Sequence, residues 1–107
     1  MFVINEKAQH EVEVFKGVTR HTLACGKDIL MARFEYKEGS KVPPHKHAYE
    51  QVTTVLEGEQ KIIIRSEDET EEIVIKKGDT YVVPANFEHE QITLKEAVTI
   101  DAWSLAP

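Results

Sequence analysis

Apolar residues in this chain recur at every second position or in short blocks closed by turn residues, and no stretch sustains the helical period. Glu11-Val12-Glu13-Val14 alternates, and Ile29 to Tyr36 runs as a strand up to a turn at Lys37-Glu38-Gly39. Val52 to Leu56 is rich in β-branched residues ahead of Glu57-Gly58. Lys61-Ile-Ile-Ile-Arg65 and Glu72-Ile-Val-Ile75 flank an acidic loop from Ser66 to Glu71 and predict a hairpin. Lys76-Lys77-Gly78-Asp79 then turns the chain into Tyr81-Val82-Val83, and His89 to Leu94 and Val98 to Trp103 predict two later strands. Many short strands at such spacing specify an all-β chain folded as an antiparallel barrel or jelly roll. Two glycine-led segments, Gly39 to His45 and Gly78 to Pro84, echo each other weakly, which suits a fold of two similar Greek-key halves. With 107 residues, one core is expected, in a single domain over residues 1–107.

Composition excludes some partners. The net charge is −6, with acidic runs at Glu67-Asp68-Glu69 and Glu71-Glu72, which argues against nucleic acid or an anionic membrane. Those runs read most simply as a solvated hairpin tip. The N-terminal segment has a short apolar run followed by charge, and no stretch approaches the length of a membrane-spanning helix, so a soluble, cytoplasmic protein is expected. Cys25 is the one cysteine. It cannot form an internal disulfide, and a buried or half-buried thiol without a role is expected.

The chemistry concentrates in Gly39-Ser-Lys-Val-Pro-Pro-His45-Lys-His47-Ala-Tyr-Glu-Gln51. In a β-strand, residues two apart project to one face, so His45 and His47 can bind one ion while Lys46 points away. Gln51 lies four residues further, an even step that keeps the same face if the strand continues without a bulge, and its amide oxygen is a neutral hard donor. A further histidine, His89, must arrive from elsewhere in the fold. Three imidazoles and an amide oxygen leave the charge of a divalent ion uncompensated and its coordination open, the condition for a strong Lewis acid. Pro43-Pro44 fix two φ angles and remove two amide donors directly ahead of His45, stiffening the approach to it.

Both segments resemble the two motifs of the cupins. Gly39, His45, His47, Gln51 and Gly58 fall on the first motif, and Gly78, Pro84 and His89 on the second. The resemblance implies a double-stranded β-helix, the cupin jelly-roll barrel, and a divalent metal (Zn, Ni, Mn or Fe) held by His45, His47, Gln51 and His89. The chain departs from the second motif at Asn86, where a glycine is usual, and at Thr93, where asparagine is usual. Asn tolerates positive φ, so Asn86 can hold a glycine-like turn.

In the strand Val98–Trp103, period two sets Thr99, Asp101 and Trp103 opposite an apolar face of Val98, Ile100 and Ala102. Taken alone, that assigns Asp101 to solvent. In a small barrel both sides of a strand can be enclosed, and a carboxylate beside a bound metal is a good general acid or base. Trp103 is either core or a sugar-stacking platform.

The whole chain is similar to the small cupins related to the pectin-degradation protein KdgF, as seen in Gly17-Val-Thr-Arg20, Glu50-Gln51-Val-Thr-Thr-Val-Leu-Glu-Gly58, Gly78 to Asn86, and Ile100-Asp101. That resemblance implies opening of 4,5-unsaturated uronates to the linear keto form, with Asp101 as the acting aspartate and a carboxylate-bearing sugar as substrate. It also implies a homodimer. Family members commonly carry an arginine shortly after the aspartate, whereas Ser104-Leu-Ala-Pro107 holds none. Arg20 and Arg33 are the candidate substitutes, since either could reach the barrel mouth from an early strand. Two other classes fit the same residues: a non-catalytic module that binds metal or a small ligand, and an Fe(II)-dependent dioxygenase.

Overall fold

The computed structural model describes residues 3–4 and 10–104. Residues 105–107, in the segment without an arginine, lie outside the described ones. Eight strands follow in order: β1 His10–Phe15, β2 Val18–Cys25, β3 Ile29–Tyr36, β4 Lys41–His45, β5 Gln51–Arg65, β6 Thr70–Lys76, β7 Thr80–Val83 and β8 Glu88–Ser104. The sheet runs β1-β2-β3-β8-β5-β6, with β4 on β8 and β7 on β5, and every pairing is antiparallel.

The topology turns on two long strands of 15 and 17 residues. The first half of β8 pairs with β4 and with the second half of β5, while its second half pairs with β3 and with the first half of β5. Each long strand therefore serves both halves of an antiparallel jelly roll, the double-stranded β-helix expected from the motifs.

Sequence punctuation misplaced two boundaries here. Glu57-Gly58 reads as a turn, yet β5 passes through it with register shifts from Val55 to Gln60 against β8. Gly58 has φ +87°, and a Cβ there would strike the carbonyl oxygen of Glu96 and the backbone of Ala97. Only glycine admits this close crossing, so its meaning is a bulge that bends the strand rather than an end. Similarly, the charged Lys95-Glu96 is exposed but stays within β8. Strand β2 carries no apolar alternation and was not marked by the pattern. Cys25, at its end, is exposed rather than buried.

Two apolar clusters hold the barrel. Val18, Tyr36, Val42 and Ala97 form one; Val55, Ile62, Ile75 and Val83 form the other. Full burial of a side chain such as Ile62 stabilises the fold by roughly 1.5–3 kcal/mol. The interior is otherwise unusually polar. On β8, His89, Gln91, Thr93, Thr99 and Asp101 are buried, while Val98, Ile100 and Ala102 are only half-buried. The amphipathic sense of this strand is inverted, which brings chemistry inside. The acidic run Glu67-Asp68-Glu69 is exposed at the β5–β6 hairpin tip, which closes through Ser66 N–H to the Glu69 carbonyl at 2.9 Å.

Candidate metal centre

His45 is the last residue of β4, and the prolines before it set its position. Val42 pairs with Gln91 and His45 with His89, so Pro43 and Pro44 together face a single residue of β8. A bulge of two prolines sacrifices no N–H to the ladder. It delivers His45 directly opposite His89, with ring centroids 4.1 Å apart.

His47 is placed differently from the strand-period expectation. Strand β4 ends at His45 and β5 begins at Gln51, so the three residues do not share one strand face. A bend spanning 46–50 carries His47 back toward the site, and three contacts fix it there. Its Nδ1–H donates to the Tyr49 carbonyl at 2.8 Å. Its ring lies parallel to the Tyr49 ring at 4.1 Å between centroids. Its carbonyl accepts the Asn86 N–H at 2.7 Å. Asn86 takes φ +68°, the glycine-like conformation expected of it.

Ring nitrogens of His45, His47 and His89 lie within 4.8 Å of one another. Each Nδ1 is tied to a backbone carbonyl: that of Pro43 at 2.9 Å, of Tyr49 at 2.8 Å and of Phe87 at 3.0 Å. These bonds place the ring hydrogen on Nδ1 and leave the Nε2 lone pairs free to converge on an ion. His89 is 3% exposed and its Nε2 is buried without a hydrogen-bond partner. Burial pushes its pKa down to about 4, with the neighbouring His45 and His47 acting in the same direction and the Phe87 carbonyl against it. The imidazole is therefore neutral at neutral pH, the form that ligates.

Gln51 completes the donor set in a determined orientation. Its Nε2 donates to Asp101 Oδ2 at 2.8 Å and to Thr53 Oγ1 at 3.0 Å, which uses both amide hydrogens. Its Oε1 is thereby turned to His47 Nε2, 3.1 Å away. With the His47 hydrogen on Nδ1, two lone pairs face each other across that gap, and a cation shared between them relieves the repulsion. A divalent ion fits this arrangement: three imidazole nitrogens, one amide oxygen, and an orphaned buried Nε2 among them.

Asp101 stands next to this set. It is 3% exposed. Oδ2 accepts from Gln51 and from Thr53 Oγ1 at 3.0 Å, and Oδ1 accepts from Thr99 Oγ1 at 2.7 Å. Burial pushes its carboxyl up to about 6, against the pull of the hydrogen bonds from Thr99, Thr53 and Gln51. The same cavity, about 310 Å³, is lined by His45, His47, Gln51, His89, Asp101, Trp103 and Arg20. Its volume lies at the small end for a small-molecule site. Arg33 does not line it. That side chain approaches Glu35 at 3.9 Å instead, because Phe34 and Tyr36, an odd number of residues away on the opposite face of β3, take the inward side.

Three contributors were not assigned from sequence. Thr99 was legible as sharing a face with Asp101, but not as its donor. Thr53 lies two residues from Gln51, an even step that puts it on the same face, but period two gives it no role. Tyr49, which braces His47 and stacks at 19° to Trp103, sits in an irregular bend where periodicity carries no information.

Comparisons with known proteins follow the same lines. Residues 32–101 match the Cupin_2 family, described as a cupin domain. The pectin degradation protein KdgF of Dickeya dadantii (strain 3937) is 30% identical over 94 residues, covering 86% of this chain and 82% of that protein. KdgF from Halomonas sp. has a TM-score of 0.84 at 23% identity, covering 100% of this chain and 94% of that one. An oxalate decarboxylase from Bacillus subtilis reaches a TM-score of 0.84 at 15% identity, over 94% of this chain and 28% of its own, a likeness of fold alone. Among the described residues, no helix is long and apolar enough to cross a membrane. By the family match and by the extent of its likeness to KdgF, the chain belongs to the cupin family, among the small cupins related to that protein.

Proposed function

We propose that this chain is a metal-dependent enzyme that opens the ring of an unsaturated uronate to its linear keto form. One observation carries the reading: a buried carboxylate, Asp101, shares a hydrogen bond with Gln51 in the donor set and lines the same cavity as the three imidazoles. The likeness to a pectin degradation protein supports the substrate class.

The reaction is an isomerisation and needs no co-reactant. The anomeric hydroxyl loses its proton as the C1–O5 bond breaks, giving an aldehyde at C1 and an enol at C5. Tautomerisation then delivers a proton to C4 and leaves a ketone at C5. In this reading Asp101 takes the first proton and returns one to carbon. Its two threonine partners suit that task, because a hydroxyl can rotate from donating to a carboxylate to accepting from a carboxylic acid. Gln51 holds the carboxylate in place through Nε2, and the Pro43-Pro44 bulge and the Asn86 bond hold the imidazoles. His45, His47, His89 and Gln51 would bind the ion, which when present supplies positive charge to stabilise a developing oxyanion.

The test is consumption of 4,5-unsaturated uronate by the wild-type protein and by Asp101→Asn at matched metal content. A fall in turnover of about 10²–10⁴-fold in the variant is expected. Equal rates would remove Asp101 from the chemistry, and no turnover by the wild type would refute the assignment.

A further inference from the structure

We infer that Arg20 is the carboxylate anchor of the cavity, so that the acid group of a substrate binds at the β2 wall and not at the metal donors. The inference rests on reading this cavity as the substrate site. Arg20 lies on β2 and pairs in register with Phe34 of β3, which in turn pairs with Thr99 of β8. Arg20, Phe34 and Thr99 thus form one cross-strand row, two strand spacings or about 10 Å wide. Asp101 is the next inward residue along β8. The row sets the arginine on one wall of the cavity and the proton carrier on the other, with Phe34 as the floor beneath and Trp103 packed 6.3 Å from it.

Glutamates engage Arg33, Arg65, Lys61, Lys77, Lys95 and His21, but no ion pair among the described residues involves Arg20. Its Nε is buried and has no hydrogen-bond partner among the described residues. A guanidinium kept half-buried in a largely apolar cavity without a counter-ion carries a desolvation cost that an anionic ligand relieves. Its planar array of donors matches a carboxylate in two parallel bonds. Arg33, whose Nε is likewise buried without a partner, differs in not lining the cavity and in approaching Glu35 at 3.9 Å. A ring whose carboxylate is drawn to Arg20 presents its opposite end toward Asp101 and the imidazoles. Selection for sugar acids over neutral sugars follows from that polarity.

The experiment uses the full chain, both metal-loaded and chelated, with wild type, Arg20→Gln and Arg20→Lys. Trp103 is the single tryptophan and lines the cavity, so its fluorescence reports binding of two non-reacting probes, galacturonate and methyl galactoside. Wild type is expected to prefer galacturonate by about tenfold or more in either metal state. Arg20→Gln should abolish that preference and Arg20→Lys keep part of it, while KM for the unsaturated uronate rises about tenfold in Arg20→Gln. Equal wild-type affinity for the two probes would overturn the inference without any variant, which covers the case of a variant that does not fold. So would a galacturonate preference that needs the metal and survives Arg20→Gln. Arg20-dependent galacturonate binding without uronate turnover would leave the anchor standing and refute the proposed reaction. Turnover with an unchanged KM in Arg20→Gln would do the reverse.

Discussion

Gln51 and Asp101, fifty residues apart in sequence, are joined by a 2.8 Å hydrogen bond from Nε2 to Oδ2. The bond has consequences at both ends of the glutamine. It consumes an amide hydrogen, which together with the bond to Thr53 forces Oε1 toward His47. The ligand set and the carboxylate are therefore one network, and a change at either residue reaches the other.

Gln51→Glu separates these two duties. A carboxylate at this position keeps a hard oxygen donor for the ion but loses the donor to Asp101. Two carboxyl groups at hydrogen-bond distance cannot both ionise, so one proton is held between them and Asp101 no longer accepts another. The expected outcome is retained metal, measured by elemental analysis after gel filtration, with uronate turnover reduced about 10²-fold or more. Turnover at the wild-type rate would show that the amide link to Asp101 is dispensable.

Metal binding should appear as stability. A divalent ion at 100 times its Kd adds about 2.7 kcal/mol to the native state, or roughly 10–20 °C in melting temperature for a domain of this size. Chelated wild type is expected to gain that shift on adding Zn, Ni, Mn or Fe(II), and His89→Ala to gain little or none. His89 is the informative position because its Nε2 is buried without a partner among the described residues. An equal shift in the variant would place the ion elsewhere.

These residues were unequally legible in the sequence. Motif spacing brought out His45, His47, Gln51 and His89, and the structure brings the three imidazoles together with Gln51 beside His47, but strand period does not account for this, since β4 ends at His45 and β5 begins at Gln51. His47 reaches the site through a bend and the Asn86 bond, long-range contacts that no local pattern encodes. Asp101 was ambiguous because a polar strand face normally means solvent, and only barrel closure reverses that reading. Strand β2 was hidden for the same reason: its inward positions include Arg20. The long strands β5 and β8 were each read as two, since Gly58 and Lys95-Glu96 look like turns until the crossing that requires them is known.

Gly58 supplies a stability test of that crossing. An added Cβ meets backbone atoms of Glu96 and Ala97, and φ +87° is itself strained for any L side chain. Backbone atoms in a paired strand cannot swing aside as a flexible side chain can. Gly58→Ala should therefore cost roughly 2–6 kcal/mol, the sum of strain and overpacking, seen as a lower urea midpoint or a loss of soluble protein. Gly39→Ala is the control: its φ is +82° but nothing lies within 4 Å, so only the strain component, about 1–3 kcal/mol, is expected. Equal losses in the two variants would mean that the close approach of β5 to Glu96-Ala97 does not matter.

Alkaline pH probes the interior beside the site. Burial holds the Tyr36 phenol well above its ordinary 10.0, with the Asp101 charge a further cause in the same direction. Because the folded pKa exceeds the unfolded one, the folded state binds this proton more tightly. The contribution is complete below pH 10 and is lost as pH rises from 10 toward the folded value, with a slope of up to ~1.4 kcal/mol per pH unit. Tyr36→Phe removes the titrating group while keeping the ring that stacks 6.0 Å from Phe34. Urea denaturation at pH 8, 9, 10.5 and 11 is expected to show a constant stability difference between the two proteins up to about pH 9. Above pH 10 wild type should lose stability faster than Tyr36→Phe. Parallel pH profiles throughout would mean that the phenol ionises in the folded protein as easily as in water.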